Sequence, residues 1–140
     1  MICFFDTNIL VYCMDAADPV RQAKAIERFA LACEQDTVVL SAQVLQEFYA
    51  ITTRKLYPPL SATEAQLQVE RLACFEVVGH SAASVIEATR LAQRYQLQWW
   101  DALILEAALR AQADVLVSED GQHGQHGQRF GKLMVENPFF

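Results

Sequence analysis

The chain has 140 residues, enough for one domain with a real core and too few for two of ordinary size. Hydrophobic residues make up 53% and charged residues 20%, which excludes a disordered chain, and no apolar run approaches the roughly 20 residues that cross a bilayer. A formal net charge of −6 argues at first against a nucleic-acid partner, but acids gathered around bound divalent cations weaken that objection, so net charge does not decide the case either way.

Ile2 to Phe5 is a short apolar run of β-formers ending at Asp6 and reads as a buried strand. Thr7 to Cys13 follows as a short helical turn. Asp18-Pro19 opens the next helix, with Asp as cap and Pro at the first helical position. Its expected inward stripe is Val20, Ala23, Ile26, Phe29, Ala30 and Cys33. Thr37 to Leu40 is a second strand, and Ser41 caps a helix running to about Leu56, where Tyr57-Pro58-Pro59 breaks it. Ser61-Ala62-Thr63-Glu64 has the form of a capping box and starts a helix ending near Cys74.

Phe75 to Val78 is a third strand, and helices follow over about Ser81 to Tyr95 and Trp99 to Ala111. Asp114 to Ser118 is a fourth strand. The Gly/Gln/His segment after Asp120 reads as a loop, and Leu133 to Val135 as a last edge strand. The expected fold is therefore α/β: one domain over 1–140, with a mostly parallel sheet of four or five strands flanked by helices. The amino terminus has no basic flank and meets an acid at once, so a signal peptide is not expected and a cytoplasmic location is. Cys3, Cys13, Cys33 and Cys74 form no Cys-x-x-Cys pair and are read as buried, reduced thiols.

In a parallel α/β sheet, functional groups collect beyond the carboxyl ends of the strands. Asp6 follows the first strand, Asp120 lies just past the fourth, and Asp101 falls in the first turn of its helix, so all three map to that edge. Glu47 shares the buried stripe of its helix with Val44, Phe48 and Ile51, and so should face the sheet rather than water. Asp101 has apolar neighbours in Trp99, Trp100, Ile104, Leu105 and Ala108. A buried carboxylate must be paired, protonated or coordinating a cation. The lysines are only Lys24, Lys55 and Lys132, and no base occupies a matching strand end. A hard divalent cation such as Mg²⁺ or Mn²⁺ relieves the crowding of four acids. Taken singly, each acid also has an ordinary structural reading as a strand-end cap, a helix first-turn acid or a salt-bridged surface residue.

Those same residues resemble a known family. Asp6-Thr7-Asn8-Ile9-Leu10 resembles the opening motif of PIN-domain nucleases, and Ser41 to Phe48 the segment carrying their second acid. Trp100-Asp101-Ala102-Leu103-Ile104 resembles the third segment and Leu116-Val117-Ser118-Glu119-Asp120 the fourth. Within that family the chain looks most like the VapC toxins of bacterial toxin–antitoxin pairs. The resemblance implies a Mg²⁺- or Mn²⁺-dependent endoribonuclease, a homodimer, and inhibition by a cognate antitoxin. It makes Asp6, Glu47, Asp101 and Asp120 the catalytic metal ligands, with Asn8 and Ser118 supporting Asp6 and Asp120. Glu119 is the less favoured ligand of its pair. The Gln-His-Gly element is doubled here, which lengthens the loop after Asp120.

His123 and His126 are read as loop polar groups and His80 as a helix-entry residue. Arg54, Lys55, Arg129 and Lys132 are candidate phosphate contacts or solvated surface charges. Trp99 and Trp100 are read as core, with base stacking the alternative. A dehalogenase-like phosphatase needs a second acid where Asn8 stands, and a phospho-receiver needs an Asp closing the third strand, which instead ends Val78-Gly79-His80. The remaining alternative is a catalytically weak PIN-like module that binds RNA or protein.

Overall fold

The computed structural model describes residues 1–119 and 126–140. β1 (Ile2–Phe5) runs straight into α1 (Thr7–Cys13), because Asp6 is extended and caps the helix by accepting the Thr7 backbone N–H at 2.7 Å. α2 (Pro19–Gln35) is capped by the Asp18 side chain, β2 (Thr37–Ser41) follows, and the Ser41 hydroxyl caps α3 (Ala42–Arg54). α4 (Ala62–Leu72) leads to β3 (Glu76–Val78), α5 (Ala82–Tyr95) and α6 (Trp99–Arg110). The chain closes with β4 (Val115–Val117), β5 (Arg129–Phe130) and β6 (Leu133–Glu136). The reciprocal capping box belongs to Ser81 and Ser84; at Ser61 the hydroxyl accepts from the Glu64 N–H, while the Glu64 carboxylate accepts from that hydroxyl.

The strand order is β3-β2-β1-β4-β6-β5. The five-strand run from β3 to β6 is parallel, and β5 adds to β6 antiparallel. The expected mostly parallel α/β sheet is present, with six strands among the described residues rather than four or five. The additional strand is the two-residue β5, too short for any alternation to reveal it. Its pairing also moves β6 off the edge, where Leu133 to Val135 had been expected. From β1 the chain builds β2 and β3 on one side, then returns through α5 and α6 to place β4 on the other. The crevice beyond the carboxyl ends of β1 and β4 is thus a topological switch point, the usual ligand site of such sheets.

The core is built on Phe4, Phe5, Leu40, Leu105 and Leu116, all fully buried. α2 departs from expectation. Val20, Ala23, Ile26, Ala30 and Cys33 are exposed, and the inward face is Ala25, Phe29 and Ala32. Those three also stand at i, i+4 and i+7, so the helix carries two apolar stripes. The alanine stripe turns inward because small side chains let α2 approach closely, while Phe29 meets Phe5 edge-on at 5.0 Å and Phe75 at 5.5 Å. All four cysteines are free, but Cys33 and Cys74 are exposed rather than buried.

Candidate functional site

Each expected acid within the described residues lies at or beside the carboxyl edge of the sheet. Asp6 is 6% exposed and Asp101 8%, so both are buried as the pattern of their neighbours required. Each also sits at a helix amino terminus, Asp6 as the cap of α1 and Asp101 in the first turn of α6. The backbone N–H groups there provide a positive end of the helix dipole beside each acid. Glu47 is half-buried beside Val44 and Phe48, which are buried on the same face of α3. Asp120 and His123 lie outside the described residues.

A continuous hydrogen-bond chain links Asp6 to Glu47 and reaches the residue before Asp101. Ser118 donates its hydroxyl to Asp6 Oδ2 at 2.8 Å, and the Asp6 N–H continues the sheet by donating to the Val117 carbonyl. Thr7 then spans two acids: its N–H donates to Asp6 Oδ1 at 2.7 Å and its hydroxyl to Glu47 Oε1 at 2.9 Å. Gln43 Nε2 donates to the same Glu47 oxygen at 3.3 Å and to the Trp100 carbonyl at 3.1 Å, one residue before Asp101. These donors are hydroxyl, amide and peptide groups. They fix the positions of the Asp6 and Glu47 carboxylates.

Thr7 and Gln43 were not anticipated from the sequence. Gln43 could have been found, since it stands four residues before Glu47 on the same helix face and is only 5% exposed. Ser118 supports Asp6 directly. Asn8 lines an adjoining cleft, and its side-chain carbonyl is buried with no donor among the described residues.

Glu119 is engaged elsewhere. It accepts from the Tyr12 hydroxyl at 2.7 Å and from Arg21 Nε at 2.9 Å. Burial first, and the adjacent Glu119 carboxylate second, push the Tyr12 phenol up to about 12, so the hydroxyl remains a donor. His126 Nδ1 accepts from the Asn137 N–H, and its ring stacks on Phe140 at 4.7 Å, which ties it to the end of the chain. Trp99 and Trp100 are not core. These residues are 36% and 61% exposed: they form the first turn of α6, ahead of the stretch from Asp101 to Ala108 that is buried on every side.

The oxygen-only chemistry of Asp6, Glu47 and Asp101, with Asp6 and Asp101 buried at helix amino termini, suits a hard divalent cation. Among the described residues no three His, Cys, Asp or Glu side chains gather closely enough to hold an ion by themselves. A complete ligand set therefore needs oxygens beyond these three.

A doubly wound sheet with acids at its switch point defines a class, and comparison with known proteins gives it a name. The PIN domain family model matches residues 3–127, and the chain belongs to the PIN-domain family. Its fold is shared with solved toxin–antitoxin proteins. VapBC2 from Rickettsia felis, bound to a DNA fragment from its promoter, matches with 21% identity and a TM-score of 0.68 over 98% of each chain. VapC20 of Mycobacterium tuberculosis, described as a Sarcin-Ricin loop cleaving toxin, matches with 18% identity and a TM-score of 0.68, covering 85% of this chain and 90% of that one. VapBC-1 from nontypeable Haemophilus influenzae matches with 20% identity and a TM-score of 0.68 over the whole of both chains. No curated protein sequence matches.

Proposed function

We propose that this chain is a divalent-metal-dependent endoribonuclease and the toxin of a toxin–antitoxin pair. The observation carrying the proposal is the chain Ser118–Asp6–Thr7–Glu47–Gln43–Trp100, which orients two acids and ends beside a third at the sheet's switch point. PIN-family membership and the RNA-cleaving activity described for the Mycobacterium tuberculosis neighbour support the same reading.

Asp6, Glu47, Asp101 and Asp120 would hold Mg²⁺ or Mn²⁺, directly or through water. When bound, such an ion supplies an acidified water for attack and offsets charge developing on the phosphodiester. The protein's part is to hold the carboxylates in place before substrate arrives: Ser118 and Thr7 fix Asp6, and Thr7 and Gln43 fix Glu47. The exposed Trp100 indole, one residue from Asp101, offers a stacking surface for an unpaired base.

The antitoxin would seat an apolar helix face in the groove of about 270 Å³ lined by Leu10, Met14, Ile26, Phe29, Phe48 and Leu72. Val20 and Ile26, exposed on the outer stripe of α2, extend that apolar surface. A cytoplasmic homodimer belongs to the same proposal. No helix among the described residues is long and apolar enough to cross a membrane.

The test is cleavage of total bacterial RNA by purified, antitoxin-free protein with Mg²⁺ or Mn²⁺ and with chelator, beside Asp6→Asn. Discrete fragments that need metal and vanish in the variant are expected. Intact RNA with folded wild-type protein would favour a binding module instead.

A further inference from the structure

Along α3 the functional contacts fall in sequence. Gln43, near its start, meets the Trp100 carbonyl, and Glu47, a turn later, meets Thr7. Ile51 and Lys55, at its end, line a cleft of about 230 Å³ shared with Asn8, Val11 and Tyr12 of α1. At 1.5 Å per residue the helix carries the surface about 12 Å from Glu47 to Lys55, roughly the span of a nucleotide or two. Asn8 follows Thr7, whose hydroxyl meets Glu47, and Ile51 and Lys55 stand four and eight residues after Glu47, so the cleft continues the α3 face that carries that acid.

Three properties of the cleft point to a ligand. The Asn8 side-chain carbonyl is buried without a donor among the described residues, a costly state unless a ligand N–H completes it. Val11, Ile51 and Leu56 provide apolar wall. Lys55 is exposed at the rim with no acid bonded to it among the described residues, whereas Lys132 is paired with Asp114 at 3.5 Å. Of the four basic residues considered for phosphate contact, Lys55 is therefore the one lining this cleft. The remaining charge in the cleft is Asp15, which accepts from the Ala17 N–H at 3.2 Å. An acid at one side and a lysine at another suit a ligand with a single phosphate and a neutral body.

We propose that this cleft is a nucleoside subsite for the RNA strand flanking the scissile phosphate. The base lies against Val11, Ile51 and Leu56, the Asn8 amide reads its edge, and Lys55 meets the neighbouring phosphate. The inference rests on the ribonuclease reading for its biological meaning, but binding can be measured without cleavage. An asparagine amide pairs well with an adenine edge, presenting a donor and an acceptor together. AMP is therefore the probe, and ribose 5-phosphate, which lacks the base, is its control.

The experiment is an NMR titration of the isotope-labelled full chain, without divalent metal, with AMP and with ribose 5-phosphate. AMP should shift the Asn8 side-chain amide and the Val11 and Ile51 backbone signals saturably at millimolar concentration, and more tightly than ribose 5-phosphate. Lys55→Ala, a surface change that leaves the fold intact, should weaken AMP binding by about fivefold. Asn8→Leu should remove the advantage of AMP over ribose 5-phosphate. Equal binding of the two probes to wild-type protein would overturn base recognition, and shifts that avoid the cleft would overturn the subsite altogether. RNA cleavage measured on the same preparations separates these failures from failure of the nuclease reading.

Discussion

The two ends of this sheet treat their acids differently. At the amino-terminal end, Asp36 accepts from the Met1 ammonium at 3.3 Å. Asp114 there accepts from the Ile2 N–H at 2.8 Å and faces Lys132 at 3.5 Å. Those acids tie strand ends together through cations and a backbone donor. At the carboxyl end, Asp6 and Glu47 take Ser118, Thr7 and Gln43, whose hydroxyl, amide and peptide groups orient the carboxylates. Asp36 and Asp114 fasten strand ends; Asp6 and Glu47 are oriented at the switch point by side-chain and peptide donors. The same residue type serves structure or chemistry according to its donors, and helix amino termini at the carboxyl end make ionised acids tolerable there.

The sharpest way to break this contrast is to neutralise an acid at each end. Asp6→Asn should lower RNA cleavage about a thousandfold, the loss expected when a charged oxygen ligand becomes an amide. Asp36→Asn should leave cleavage unchanged, as a gel assay on one RNA would show. Equal losses would erase the distinction.

A smaller effect is expected at Thr7. Thr7→Val keeps the shape and removes the hydroxyl that donates to Glu47. Cleavage and metal affinity should each fall about 10- to 100-fold, as for other groups that orient metal ligands. Unchanged metal affinity by calorimetry would show that Thr7 is only a helix residue.

Smaller still are the titrations. The Tyr12 phenol, raised to about 12, favours the folded state with its proton in place. That contribution is complete below the ordinary tyrosine value of about 10 and is lost as pH rises through about 12. Absorbance titration should show one late-ionising tyrosine, and Glu119→Gln should move it down.

At the fastening end the sign reverses. The Ile2 N–H first, and Lys132 next, hold the Asp114 carboxyl below its usual range. Its contribution is present above about pH 4 and fades as pH falls through the lowered value. Asp114→Asn should therefore unfold at slightly lower temperature than wild type at neutral pH, with the difference closing in acid.

Asp6, Glu47 and Asp101 were legible in the sequence because each interrupts an apolar pattern: a strand end, a buried helix stripe and a helix start. An acid in such a place announces a reason for being there. The groups that orient them were harder to see, since Thr7 and Gln43 are unremarkable polar residues until the fold brings them within 3.3 Å of Glu47. The inward face of α2 was misread because two apolar stripes competed, and packing distance decided between them rather than hydrophobicity. Trp100 was misread for a related reason. Aromatic residues are usually buried, but Trp100 stands in the first turn of α6, before the helix enters the core at Asp101. Asp120 lies outside the described residues, so its place among the ligands rests on the motif alone.

The central claim is that the carboxyl edge holds a divalent cation, and Mn²⁺ binding followed by electron paramagnetic resonance tests it most directly. Wild-type protein should take up Mn²⁺ saturably, Asp101→Asn should bind it far more weakly, and Asp36→Asn should match wild type. Absence of Mn²⁺ binding by folded wild-type protein, or equal binding by Asp101→Asn, would contradict the claim and return these acids to a structural role.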